Sequence, residues 1–162
     1  MKKNNLLYVF GILIPVLLVF KITSCALKDD DKVIPDCTKA IEIDPNLANT
    51  YYFRGKGYLL KGQYDRAISY FNKAIKINTM LYEAYHGRGL AYQKQSQYDL
   101  AIGDYCKAIQ LDPNLVIAYN NRGSAYNWLG EKSCACEDWQ KACNLGNCTA
   151  LFFYKEESIC KQ

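Results

Sequence analysis

The sequence predicts an all-α fold, a solenoid of helix-turn-helix units, on three observations. The first is a repeat of 34 residues. In the stretch Tyr82 to Leu115 it places Tyr85, Gly89, Tyr92, Ala101, Tyr105, Ala108 and Pro113. Shifting back by one period gives Tyr51, Gly55, Tyr58, Ala67, Phe71, Ala74 and Thr79; shifting forward gives Tyr119, Gly123, Tyr126, Ala135, Trp139, Ala142 and Asn147. No gap is needed, and only the final Pro is missing from the outer copies. The second observation is that each unit reads as two amphipathic helices, A and B, divided by a short turn such as Lys61-Gly62-Gln63 or Leu129-Gly130-Glu131. The third is a glycine recurring at one phase of helix A. A glycine inside a helix costs about 1 kcal/mol against alanine, so three at one phase imply a packing reason. These small residues belong where helices cross, and the recurring aromatics fill the space between successive hairpins.

The spacing of aromatic, Gly, Tyr, Ala, aromatic, Ala and Pro resembles the tetratricopeptide (TPR) family over about two thirds of the chain. The resemblance implies an all-α TPR α-solenoid with repeats at 48–81, 82–115 and 116–149. Helices are expected at about 48–61, 64–77, 82–95, 98–111, 116–129 and 132–145. In such arrays the A helices line a concave, peptide-binding surface. Carried over position by position, the groove presents Asn49, Tyr52, Phe53 and Lys56 from the first copy. The second contributes Glu83, His86, Leu90 and Lys94, and the third Asn120, Asn121, Ser124 and Asn127. Aromatic, amide and charged groups together suit an extended or helical peptide. One family mode is set aside. The carboxylate clamp that grips chaperone C-termini needs several Lys, Asn and Arg residues, whereas this chain offers Tyr52 and Lys56, then Gly87, then Ile117 and Asn121. Arg54, Arg88 and Arg122 recur in phase and read as structural, with Asp44 or Asp112 of the preceding turn as their expected partners.

Taken in order, the chain opens with Lys2 and Lys3 and then an uncharged run, Leu6 to Phe20. That run is shorter than the roughly 20 residues of a span and fits the apolar core of a signal peptide, 1–24. Ile22-Thr23-Ser24-Cys25 resembles the lipobox of bacterial lipoproteins, which implies acylation of Cys25 as the mature N-terminus. An uncleaved anchor is the alternative. In both readings the basic residues stay inside and the rest faces outward, as a periplasmic or cell-surface protein of the envelope. Residues 25–35 read as a lipidated cysteine and a tether carrying Lys28-Asp29-Asp30-Asp31-Lys32. Removing Lys2, Lys3 and Lys21 leaves 17 basic against 16 acidic residues, so the net charge falls from +4 to +1. The basicity is largely that of the targeting segment, and no basic stripe argues for nucleic acid.

Residues 36–46 align with the end of a repeat, Ala40, Ile41, Asp44 and Pro45 matching Ala108, Ile109, Asp112 and Pro113. Cys37 then falls at the buried aromatic position. A lone helix is therefore expected to cap the N-terminal end. Residues 149–162 form the other cap, with Leu151, Phe152, Phe153 and Ile159 available to cover the last hairpin.

Eight cysteines in 162 residues suit an oxidising compartment. Cys136 and Cys143 stand where other copies have Ile, which makes them small buried hydrophobes by one reading. By the other, a closing helix antiparallel to 132–145 brings Cys148 near Cys143 and Cys160 near Cys134 or Cys136. Cys134 and Cys136 are two apart on a helix and cannot chelate together, so no metal site is expected. The one histidine, His86, has no catalytic grouping around it, and no phosphate-binding glycine loop appears. The expectation is a non-enzyme without cofactors: a membrane-tethered scaffold that binds a protein partner in an envelope complex, like other TPR lipoproteins. The alternatives are a self-associating structural module, or a thiol-redox or metal-handling protein using the cysteine-rich end.

Overall fold

The computed structural model describes residues 30–156 and residue 160. Eight helices follow one another: α1 (Asp30–Ile43), α2 (Ala48–Leu60), α3 (Tyr64–Ile77), α4 (Tyr82–Lys94), α5 (Tyr98–Leu111), α6 (Val116–Trp128), α7 (Lys132–Asn144) and α8 (Thr149–Glu156). No strand occurs among the described residues. Helix pairs α2/α3, α4/α5 and α6/α7 are the three A/B hairpins. Helix α1 packs on α2 as a B helix without an A partner of its own among the described residues, and α8 packs on α7. The fold is the expected all-α solenoid.

The turns explain where the helices stop. At the A-to-B turns, Gly62, Ser96 and Gly130 adopt φ of 70°, 59° and 83°. Each left-handed residue donates its N–H back into the last turn. The next residue reaches one step further, Gln63 to Tyr58, Gln97 to Tyr92 and Glu131 to Tyr126, all at 2.9 Å. This double closure satisfies the orphaned carbonyls and ends each A helix one residue before 61, 95 and 129. The B-to-A turns use side chains. The carboxylates of Asp44 and Asp112 accept the N–H groups of Asn46 and Asn114 at 2.9 and 3.0 Å, and Asn78 accepts that of Met80 at 2.9 Å. Asn78 thus holds the same turn where Thr79 replaces the proline.

Helix α1 begins earlier than the sequence suggested. The tether was expected to run to Pro35, but the helix starts at Asp30 and contains Pro35. Pro35 is the sixth residue of this helix, past the first turn, so it gives up one backbone hydrogen bond, the one to the carbonyl of residue 31. Cys37 and Ala40 are fully buried against α2. At the other end Leu151 is buried and Tyr154 stacks on Trp139, centroids 3.9 Å apart. Phe152, expected to help cover the hairpin, is instead 63% exposed. The Phe153 side chain and Ile159 lie outside the described residues, as do Lys2, Lys3, the run 6–20 and Cys25. No helix among the described residues is long and apolar enough to cross a membrane.

The glycines and aromatics meet as one device. A Cβ added at Gly55 would lie 2.8 Å from the Phe71 ring, one at Gly89 2.8 Å from the Tyr105 ring, and one at Gly123 2.7 Å from Trp139 Nε1. Gly87 presses on Phe71 from the next repeat, its added Cβ meeting the ring at 2.6 Å. Phe71, Tyr105 and Trp139 are all fully buried, with Ala67, Ala101 and Ala135 beneath them. The ring of each B helix therefore sits in a notch that only a missing side chain provides.

The recurring arginines bind differently from the sequence expectation. Arg88 forks onto Asp104, Nε to Oδ2 at 2.7 Å and Nη2 to Oδ1 at 2.6 Å. Arg122 does the same to Asp138 at 2.8 and 2.6 Å. Asp44 and Asp112 are occupied in turns, so the partners come from the B helix of the same repeat. Backwards, Arg88 reaches Asn72 and Arg122 reaches Cys106 Sγ at 3.1 Å, both on the preceding B helix. Each arginine thereby fastens one hairpin to the one before. In the first repeat Tyr70 stands where the aspartate would be, and Arg54 lies over its ring at 4.6 Å.

Three outcomes are expected from thermal unfolding. Gly89→Ala forces the Tyr105 ring from its notch and lowers stability by about 1–3 kcal/mol. Gly103→Ala, with nothing within 4 Å of the added Cβ, raises it by up to about 1 kcal/mol. Asp104→Ala strands the Arg88 guanidinium and destabilises by about 3 kcal/mol, whereas Arg88→Leu with Asp104→Leu costs less because no charge is left unpaired.

Candidate functional site

Consecutive A helices touch one another directly, α2 with α4 and α4 with α6, while the B helices form no comparable contacts among the described residues. The array therefore curves with the A helices inside, and the groove is built from the A faces that do not carry the glycine notches. Asn49, Lys56 and Lys94 are exposed on this face. Tyr52, Phe53, Glu83, His86, Leu90, Asn120, Asn121, Ser124 and Asn127 are half-buried.

These residues do not all offer free chemistry. Tyr52 leans on Phe53 and Phe71, ring centroids 5.1 and 6.1 Å away, giving the first repeat an aromatic wall. Ser124 donates to the Asn120 carbonyl at 2.9 Å, and Trp139 Nε1 donates to the same oxygen at 3.4 Å. Ser124 and the Asn120 backbone are thus committed to the fold, although Asn120 Oδ1 is buried without a partner. His86 lies against the Tyr105 ring at 5.8 Å, and Asn121 Nδ2 approaches its Nε2 at 3.0 Å. Burial without an acidic partner pushes the His86 pKa down to about 4. The imidazole is therefore neutral at physiological pH, and Nε2 accepts from Asn121. Burial also pushes the Tyr105 hydroxyl above its ordinary range, so it stays protonated and donates to Gln93 Oε1 at 2.6 Å.

A cavity of about 270 Å³ opens beside this network, lined by Leu90, Gln93, Lys94, Tyr98, Asn121 and Trp128. Trp128 is 69% exposed and stacks in parallel on Tyr98, centroids 5.9 Å apart. Sequence reading named Leu90, Lys94 and Asn121 but missed Gln93, Tyr98 and Trp128. A signal existed: Trp128 occupies the phase of Lys94 one repeat later. Tyr98 belongs to a B helix and joins the pocket only through the hairpin.

At the C-terminal end Cys136 is bridged to Cys160, Cα atoms 5.6 Å apart, and Cys143 to Cys148. Cys134 remains a thiol, as does the exposed Cys106. No group of three or more His, Cys, Asp or Glu among the described residues could hold a metal ion.

Because His86 is the only histidine, its ring resonances report on the network without assignment. They are expected to titrate near pH 4 in the folded chain. The folded pKa lies below the unfolded value of about 6.5. Folding thus disfavours the proton, and stability is lost as pH falls from about 6.5 towards 4. A midpoint near 6.5 in the folded chain would contradict the burial argument.

A model of the tetratricopeptide repeat matches residues 82–115, and a TPR repeat model matches residues 55–96. Among solved structures, "Crystal structure of MamA" superposes with a TM-score of 0.73 at 28% identity, covering 82% of this chain and 77% of that one. An Arabidopsis OM64 TPR domain gives 0.64 at 27% identity, covering 67% and 92%. The first TPR of Spaghetti (RPAP3), bound to the HSP90 peptide SRMEEVD, gives 0.66 at 25% identity, covering 71% and 93%. No curated protein matches the chain. Residues 55–115 match tetratricopeptide-repeat models, and the fold is an all-α TPR solenoid.

Proposed function

We propose that the chain is a membrane-tethered, non-catalytic scaffold that docks a protein partner in a bacterial envelope complex through its concave face. TPR repeats support protein–protein interaction, and one structural neighbour holds a peptide. The observation that carries the reading is the open A-helix face. It presents the Tyr52–Phe53 wall, the unpaired ammonium groups of Lys56 and Lys94 and the exposed Trp128 ring along one curved surface. Exposed aromatic and charged groups on a concave surface are the ordinary anchors of a docked chain. The tether rests on the N-terminal sequence: Lys2 and Lys3, the uncharged run to Phe20 and the cysteine at 25. Outward orientation agrees with the cysteine bridges, which form in oxidising compartments.

Cross-linking in whole envelopes tests the reading. A partner captured by the wild type and lost in a Lys56→Glu, Lys94→Glu variant of unchanged helicity is the expected outcome. Identical capture by both forms, or capture of further copies of the chain alone, would replace the groove with self-association. Acyl labelling of Cys25 that disappears in Cys25→Ser is expected as well. Recovery of Cys25 in a disulfide-linked peptide would exclude lipidation and leave the uncleaved anchor.

A further inference from the structure

The cavity between the second and third repeats is smaller than the roughly 300–1,000 Å³ of sites that enclose a whole ligand. It has the size of one side chain. Its walls are Leu90 and the parallel faces of Tyr98 and Trp128. A tryptophan left 69% exposed is a large apolar surface kept in water, and such surfaces anchor partners far more often than chance.

The polar rim is biased towards donors, and the bias follows from neighbouring contacts. Gln93 spends its carbonyl on Tyr105 Oη, which turns its amide N–H groups free. Lys94 makes no ion pair among the described residues, and the Trp128 indole N–H makes no hydrogen bond there. Asn121 commits its amide nitrogen to His86 and leaves Oδ1 as the one amide acceptor of the rim, against the donors of Lys94, Gln93 and Trp128. None of the six lining residues is a carboxylate. A flat apolar slot with an ammonium and two kinds of N–H donor at its edge selects a ring next to an anion.

We propose that this pocket takes an aromatic side chain together with the side-chain carboxylate of an adjoining Asp or Glu, within an internal segment of a partner polypeptide. The proposal rests on the groove reading and names its anchor. A terminal carboxylate is the wrong source here. Gripping a chain end takes several cations, whereas the pocket supplies Lys94 alone, a match for one side-chain anion.

The chain has two tryptophans, Trp128 and the buried Trp139, so two indole N–H resonances report on the full-length protein. The Trp128→Phe spectrum identifies the first. The probes are acetyl-Gly-Phe-Asp-Gly-amide, its Asn analogue, its Ala-for-Phe analogue and acetyl-Gly-Phe with a free terminal carboxylate. The Asp peptide is expected to shift the Trp128 indole saturably. Replacing Asp by Asn, or Phe by Ala, is expected to weaken binding about tenfold or more. Lys94→Gln in the protein is expected to erase the difference between the Asp and Asn peptides. Equal binding of those two peptides, or tighter binding of the free-carboxylate peptide, overturns the proposal. Shifts confined to Phe53 and Lys56, with Trp128 unmoved, overturn it too while leaving the groove reading intact.

Discussion

Everything in this solenoid depends on a ring lying in a glycine notch. Phe71, Tyr105 and Trp139 project from the B helices into space left by Gly55, Gly89 and Gly123, and Gly87 extends the notch to the next hairpin. Each contact closes the two helices of a hairpin, and at Phe71 it also joins that hairpin to its neighbour. The helices could not approach so closely with a Cβ in place, nor would the notch be filled by a smaller B residue. At the N-terminal end the position is held by Cys37, enough for a cap that meets only one A helix. At the C-terminal end Tyr154 of α8 stacks on Trp139.

The arginine forks form a second system laid over the first. Packing alone lets hairpins slide or rotate, since apolar contact is non-directional. A guanidinium that binds one aspartate through two nitrogens fixes angle as well as distance. Arg88 and Arg122 impose that geometry on the second and third repeats while reaching back to the preceding B helix. The hydrogen bonds to Asp104 hold the Arg88 guanidinium above its ordinary range, while burial pushes the Asp104 carboxyl up against the pull of the arginine. The first repeat lacks the aspartate and uses the Tyr70 ring, with Arg54 Nε left buried and unpartnered.

The same two systems shape the groove. Pulling the A helices together on the inner side leaves a curved face whose residues escape the demands of packing. Some of them have nevertheless been drawn into the scaffold. His86 is neutral and bonded to Asn121, and Ser124 and the Asn120 carbonyl serve the hairpin. What remains presented to a partner is a small set at the two ends of the face: Tyr52, Phe53 and Lys56 at one, Lys94, Tyr98 and Trp128 at the other.

The sequence by itself determined the fold class, the period and the helix pairs, because a 34-residue repeat of small and aromatic residues admits few ways of burying both faces. It did not determine partners across helices. Arg88 and Arg122 lie 16 residues from the aspartates they bind, a separation with no local signature, and for Arg122 the turn residue Asp112 is nearer along the chain. Tyr98 and Trp128 come together only when α5 and α6 pack, so their stack was illegible one helix at a time. The cysteine pairing has the same character. Cys136 stands 24 residues from Cys160 and Cys134 only two further, so the rotation of α7 decides which one meets it. Periodicity fixes the direction in which a side chain leaves its own helix; which neighbour it meets is set by the angle between helices, and that angle exists only in the assembled array.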